Sequence, residues 1–72
     1  MTTLKTKIYA EYKLLLSVFD ARLARAERLA MMLALLAHRD YQPIDKDVHR
    51  GLKLYIRLRL RKELEMIKAF GL

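Results

Sequence analysis

The chain has 72 residues, no cysteine, a hydrophobic content of 54% and a formal net charge of +7 at pH 7. Disulfides are therefore excluded, and a structural zinc site is disfavoured because His38 and His49 are the only histidines. A single core of this size rarely supplies more than about 3–5 kcal/mol, so small domains without disulfides or metals often add a second subunit. These numbers predict one domain over residues 1–72 that forms a homodimer.

The first half of the chain favours one long helix. Leu and Ala dominate the apolar residues, and no glycine or proline precedes Pro43, which indicates an all-α fold. From Ile8 to Ala37 apolar residues recur about every 3.6 residues, which predicts a helix over residues 3–39. Ser17 and Asp20 provide a possible cap, so the alternative is a first helix broken near these two residues.

A turn and a second helix are expected in the other half. Pro43 biases the residue before it away from helix, so residues 40–45 are predicted to form a turn. Asp45 or Asp47 is expected to cap a second helix over residues 46–70, and Gly71 to end it. The prediction is thus a helical hairpin of two long helices, which pairs with a second copy as a dimeric antiparallel four-helix bundle.

Residues 52–60 also allow a strand. Leucine or isoleucine alternates there with lysine, tyrosine or arginine, and a period of two is typical of a β-strand. A β-ribbon with a basic face would also suit DNA binding. The helix is preferred because Leu, Lys and Arg are good helix formers and Ile56 is the only β-branched residue from Gly51 to Met66.

The sequence LAMMLALLA, residues 29–37, predicts self-association. A helix that is apolar all round is buried on every side, and one partner helix cannot cover it. An apolar patch left open to water typically marks an interface. The predicted oligomer interface consists of Leu29, Met32, Leu33, Leu35 and Leu36.

The segment from Arg50 to Lys62 carries six cations and no acidic residue. On a helix, Arg50, Arg57, Arg61 and Lys68 are spaced by seven, four and seven residues, which places them along one edge opposite the apolar stripe. Such a row suits the phosphates of DNA or RNA. The predicted nucleic-acid-binding residues are Arg50, Lys53, Arg57, Arg59, Arg61, Lys62 and Lys68.

Other interpretations of this basic face remain open. A solvated face that favours solubility is one, and an anionic membrane surface is another. The main alternative is a protein-interaction module, an adaptor or inhibitor that docks on a larger acidic protein.

The sequence offers little material for catalysis. With no cysteine, one serine and two histidines, a nucleophile and base are hard to assemble, so we expect no enzyme, no cofactor, no small-molecule substrate and no metal. The longest apolar run, residues 29–37, is about half the length of a bilayer span, and no secretory signal is evident. The expectation is a cytoplasmic protein with a regulatory or accessory role.

Overall fold

The computed structural model describes residues 3–70, which form three helices: α1 (Leu4–Val18), α2 (Arg25–Ala37) and α3 (Lys46–Phe70). No strand occurs within this part of the chain, so the all-α prediction is confirmed. Residues 52–60 lie in the middle of α3, which resolves the alternation of their side chains in favour of helix.

The prediction of one continuous helix over residues 3–39 is wrong, and the break falls near Ser17 and Asp20, as in the alternative. The Ser17 hydroxyl donates to the Leu14 carbonyl at 2.6 Å. The Asp20 carboxylate accepts from the backbone N–H and from the guanidinium of Arg22, both at 2.9 Å. The Leu23 N–H donates to the Asp20 carbonyl at 3.1 Å. The bond of Ser17 lies within the last turn of α1, whereas those of residues 20–23 hold the chain in a turn, so the chain forms three helices instead of a two-helix hairpin.

The start of α3 agrees with the sequence. The Asp45 carboxylate accepts from the N–H of Asp47 at 2.9 Å and of Val48 at 3.2 Å, and its carbonyl accepts from the N–H of His49. Asp45 is therefore the N-cap. Asp47 lies in the first helical turn, where its negative charge interacts favourably with the positive end of the helix dipole. Gly71, predicted to end the helix, lies outside the described residues.

The first and third helices run parallel. Ile8 of α1 lies against Gly51 of α3, and the ring of Tyr12 meets the ring of Tyr55 edge-on at 4.9 Å between centroids. In both pairs the partner is 43 positions further along the chain, so the two helices advance in the same direction.

The second helix runs antiparallel to α3, because Arg25 at its start lies 3.4 Å from Glu63 near the end of α3. Side chains from all three helices then meet in one core. The buried apolar residues are Tyr12, Leu29, Met32, Leu36, Val48, Leu52 and Ile56.

This core changes the role of the predicted oligomer interface. Leu29, Met32 and Leu36 are 0%, 0% and 2% exposed within a single chain, and Leu33 packs against the same core. The reason is the break after α1, which lets α1 fold back and cover the face that a two-helix hairpin leaves open. Of the five predicted interface residues, Leu35 is the one that stays exposed, at 40%.

Gly51 explains how α1 comes so close to α3. A glycine within a helix costs about 1 kcal/mol relative to alanine. A methyl group at this position would overlap Cδ1 of Ile8 and lie 3.2 Å from its Cγ1. The missing side chain therefore provides the space that Ile8 fills.

Candidate nucleic-acid interface

Four of the seven predicted binding residues form one line on the outer edge of α3. Arg50, Arg57, Arg61 and Lys68 are all exposed, on the side of the helix opposite the buried Leu52 and Ile56, and we call these four the basic row. From first to last the row rises about 27 Å at 1.5 Å per residue. None of its members forms an ion pair with another residue of the range 3–70.

Of the other three predicted residues, Arg59 and Lys62 lie on other faces of α3, whereas Lys53 lies beside the row, one turn from both Arg50 and Arg57. Arg59 is half-buried on the core side, with its guanidinium carbon 5.9 Å from the ring centroids of Tyr12 and Tyr55. Its contact with the two rings is a packing role. Lys62 is exposed, but it lies about 100° around the helix from Arg61. Lys53 is half-buried, and its charge acts on His49 one turn earlier.

A shallow depression accompanies the last part of the basic row. It has a volume of about 360 Å³ and is lined by Arg57, Leu60, Arg61, Leu64, Glu65 and Lys68. Three cations therefore surround one carboxylate, that of Glu65, and the local charge stays positive. An anion placed here would meet two guanidinium groups and one ammonium group.

A second surface, which was not predicted from the sequence, lies between α1 and α3. This α1–α3 groove has a volume of about 910 Å³ and is lined by Leu4, Lys5, Thr6, Ile8, Tyr9, Gly51, Leu54, Tyr55 and Leu58. It depends on α1 lying parallel to α3, which sequence periodicity alone does not reveal. The one signal was Gly51, whose position inside a helix indicates close approach of another element.

A third depression, of about 430 Å³, separates the first half of α1 from residues 41–45 and the start of α3. The ring of His49 stacks there on the ring of Tyr41 at 5.3 Å and an interplanar angle of 21°. Desolvation and the nearby charge of Lys53 lower the pKa of His49, and a hydrogen bond to the Leu36 carbonyl opposes them. This arrangement favours the neutral imidazole and holds the loop against α3.

Residues 3–70 contain no cluster of three or more acidic or histidine side chains that could hold a metal ion. Over the same range, none of the helices has the length and hydrophobicity needed to cross a bilayer. In comparisons with known proteins, no family model matches the chain, and neither a curated protein nor a solved structure matches it significantly.

Proposed function

We propose that the protein binds the phosphate backbone of nucleic acid through the basic row of α3, in a regulatory or accessory role. The observation that carries the proposal is the exposure of Arg50, Arg57, Arg61 and Lys68 along one edge, with no ion pair to any other described residue. Lys/Arg side chains that neutralise phosphates release condensed counterions, which is the main source of non-specific affinity for DNA.

The dimensions of the row suit a polyanion. A length of about 27 Å corresponds to about eight base pairs at 3.4 Å each. Three of the four residues are arginines, whose planar guanidinium groups bind phosphate oxygens in pairs. The row contains only arginine and lysine, both of which bind phosphates, and no Asn or Gln that would read adenine, so we propose binding that depends mainly on charge.

The test is binding to a generic duplex and to a single strand over a series of salt concentrations. We expect Arg57→Gln with Arg61→Gln to reduce the slope of log affinity against log salt by about 1.8, since each phosphate contact on B-DNA contributes about 0.9. Lys7→Gln with Arg39→Gln removes the same charge from exposed positions outside the row and serves as the matched control. Affinity insensitive to salt, or equal losses in the two double variants, would overturn the proposal.

Self-association is a further part of the proposal, on a surface smaller than the one first predicted. In the segment 29–37, the large apolar side chains that remain exposed are Met31 at 44% and Leu35 at 40%, four residues apart on one face of α2. Pairing across this face would put two basic rows on one assembly. Sedimentation equilibrium should then give twice the 8.5 kDa of one chain and a weaker dimer for Leu35→Glu. A mass of 8.5 kDa at every concentration would contradict pairing.

A further inference from the structure

The α1–α3 groove has the shape of a helix-binding site. Two parallel helices form its walls, and Gly51 and Ile8 meet between them. Along α3 the lining extends from Gly51 to Leu58, about 10 Å at 1.5 Å per residue. This length corresponds to about two turns, which is the span of the i, i+3/i+4 and i+7 anchors of an amphipathic helix.

The groove is apolar and uncovered. Leu54 and Leu58 are each 54% exposed, and Leu4 and Tyr9 are about half exposed on the opposite wall. Large apolar side chains that share one concave surface are typical of an interaction site. A helix lying between α1 and α3 would cover all four at once.

The charges beside the groove define the partner. Lys5 lines the groove, and the ammonium nitrogen of Lys13 lies 5.4 Å from the ring centroid of Tyr9. The lining includes no acidic side chain. A second copy docked here through its own groove would place Lys5 and Lys13 of both chains close together, and this local repulsion opposes pairing at the groove. A flat lipid surface would leave the concave floor at Gly51 unfilled.

We infer that the α1–α3 groove binds an amphipathic helix with acidic flanks that belongs to a partner protein. The apolar stripe of that helix packs against Leu54, Leu58 and Tyr9, and its carboxylates pair with Lys5 and Lys13. None of these residues belongs to the basic row, so this inference is independent of the proposed binding of nucleic acid.

The experiment uses a fluorescein-labelled synthetic helix of about four turns, with leucines at i, i+3/i+4 and i+7 and glutamates on both flanks. Fluorescence anisotropy measures its affinity for the whole protein. We expect Leu58→Asp and Leu54→Asp each to weaken binding about tenfold or more. Leu64→Asp is the matched control, because Leu64 is equally exposed, at 53%, on the same helix but outside the groove.

A charge exchange tests the flanks separately. A second peptide carries lysines in place of the glutamates, and we expect the native protein to prefer the glutamate peptide. The double variant Lys5→Glu, Lys13→Glu should reverse this preference. Both substitutions are at exposed positions of α1, so we expect the fold to be kept. The glutamate at position 5 lies in the first turn, where it interacts favourably with the helix dipole.

Several results would overturn the inference. Equal affinity for the two peptides, or an equal loss for Leu58→Asp and Leu64→Asp, would remove the groove as their site. If Leu58→Asp instead abolishes binding to vesicles of anionic phospholipid, or self-association in sedimentation, the occupant is a membrane or a second copy. Binding of duplex DNA by the uncharged variant Leu58→Gln should be unchanged, which separates a failure here from a failure of the proposed function.

Discussion

Gly51 is the position where one missing side chain determines how two helices pack. A valine there would force its branched methyl groups into the space that Ile8 occupies. Overpacking of this kind typically costs about 1–3 kcal/mol. We therefore expect Gly51→Val to lower the free energy of unfolding in urea by that amount, even though valine is a better helix former than glycine.

The double variant Ile8→Ala, Gly51→Ala provides the control for this prediction. Ile8→Ala removes both Cδ1 and Cγ1, the two atoms that a side chain at position 51 would meet. In that background Gly51→Ala should raise stability by about 1 kcal/mol, the difference in helix propensity. If Gly51→Val is harmless in the native background, the close approach of α1 to α3 is wrong.

His49 is the residue through which stability should depend on pH near neutrality. Its pKa in the folded protein lies below the ordinary value of 6.5, mainly because of desolvation. As the pH falls through 6.5, the unfolded chain takes up a proton first and is stabilised relative to the fold. We expect the urea midpoint to be highest above pH 6.5 and to decrease as the pH falls towards the folded pKa.

Substitution of the imidazole isolates this effect. His49→Gln should be less stable above neutrality, because it loses the stacking on Tyr41, but its midpoint should lose the dependence on pH in this window. Asp20 acts in a different window, since its pKa lies below 3.8 through its hydrogen bonds to Arg22. A native midpoint that is flat from about pH 7.5 to about pH 5.5 would argue against a partly buried imidazole with a lowered pKa.

At the level of elements, α3 shows why its alternating leucines do not make a strand. On a helix, Leu52 and Ile56 point into the core, while Leu54 and Leu58 point outward. We expect Leu52→Ala to cost about 2–5 kcal/mol and the milder Ile56→Val about 1 kcal/mol. Leu54→Ala and Leu58→Ala should stay within about 0.5 kcal/mol of the native protein. On a half-buried strand, by contrast, all four positions would share one face, and chemical denaturation of the three leucine-to-alanine variants would give similar losses.

Much of α3 and its surface could be predicted from the sequence. The turn before it follows from Pro43, the start follows from the cap at Asp45, and the basic row follows from the spacing of Arg50, Arg57 and Arg61. These features depend on contacts within a few residues or on helical geometry alone. That is why local patterns sufficed to find them.

The sequence alone did not decide between one continuous first helix and a break between α1 and α2. Its residues are compatible with helix, and the break depends on the turn at Asp20 together with the packing of Phe19 against the core. Once the chain breaks there, α1 turns back and covers Met32 and Leu36. The predicted interface was therefore misplaced, and the α1–α3 groove was missed, because both depend on contacts between residues far apart in sequence.

For the whole molecule, the charge of +7 on 72 residues should make stability depend on salt. The cations of α3 repel one another, and the three ion pairs of the described residues are partly or fully exposed. Exposed pairs contribute at most about 1 kcal/mol. We expect salt to screen the repulsion and to raise the thermal midpoint between about 0.02 M and about 0.3 M sodium chloride.

The variant Arg57→Gln, Arg61→Gln tests the origin of this effect. It removes two charges from the centre of the row, so its midpoint at low salt should be higher and its response to salt smaller. Circular dichroism at 222 nm follows the melting of the helices in each buffer. A native midpoint that falls as salt is added would mean that attraction, not repulsion, dominates the surface.

The parallel pairing of α1 with α3 also has a consequence for the order of folding. Contacts of α1 such as Tyr12 with Tyr55 close a loop of 43 residues, whereas α2 and α3 are joined by a short turn. Loop closure is entropically cheaper for the shorter connection, so the α2–α3 hairpin should form first and α1 should add last. The same reasoning makes the detachment of α1 the first step of unfolding. A ligand bound between α1 and α3 contacts both helices, so it would slow the detachment of α1 and with it the unfolding of the whole chain.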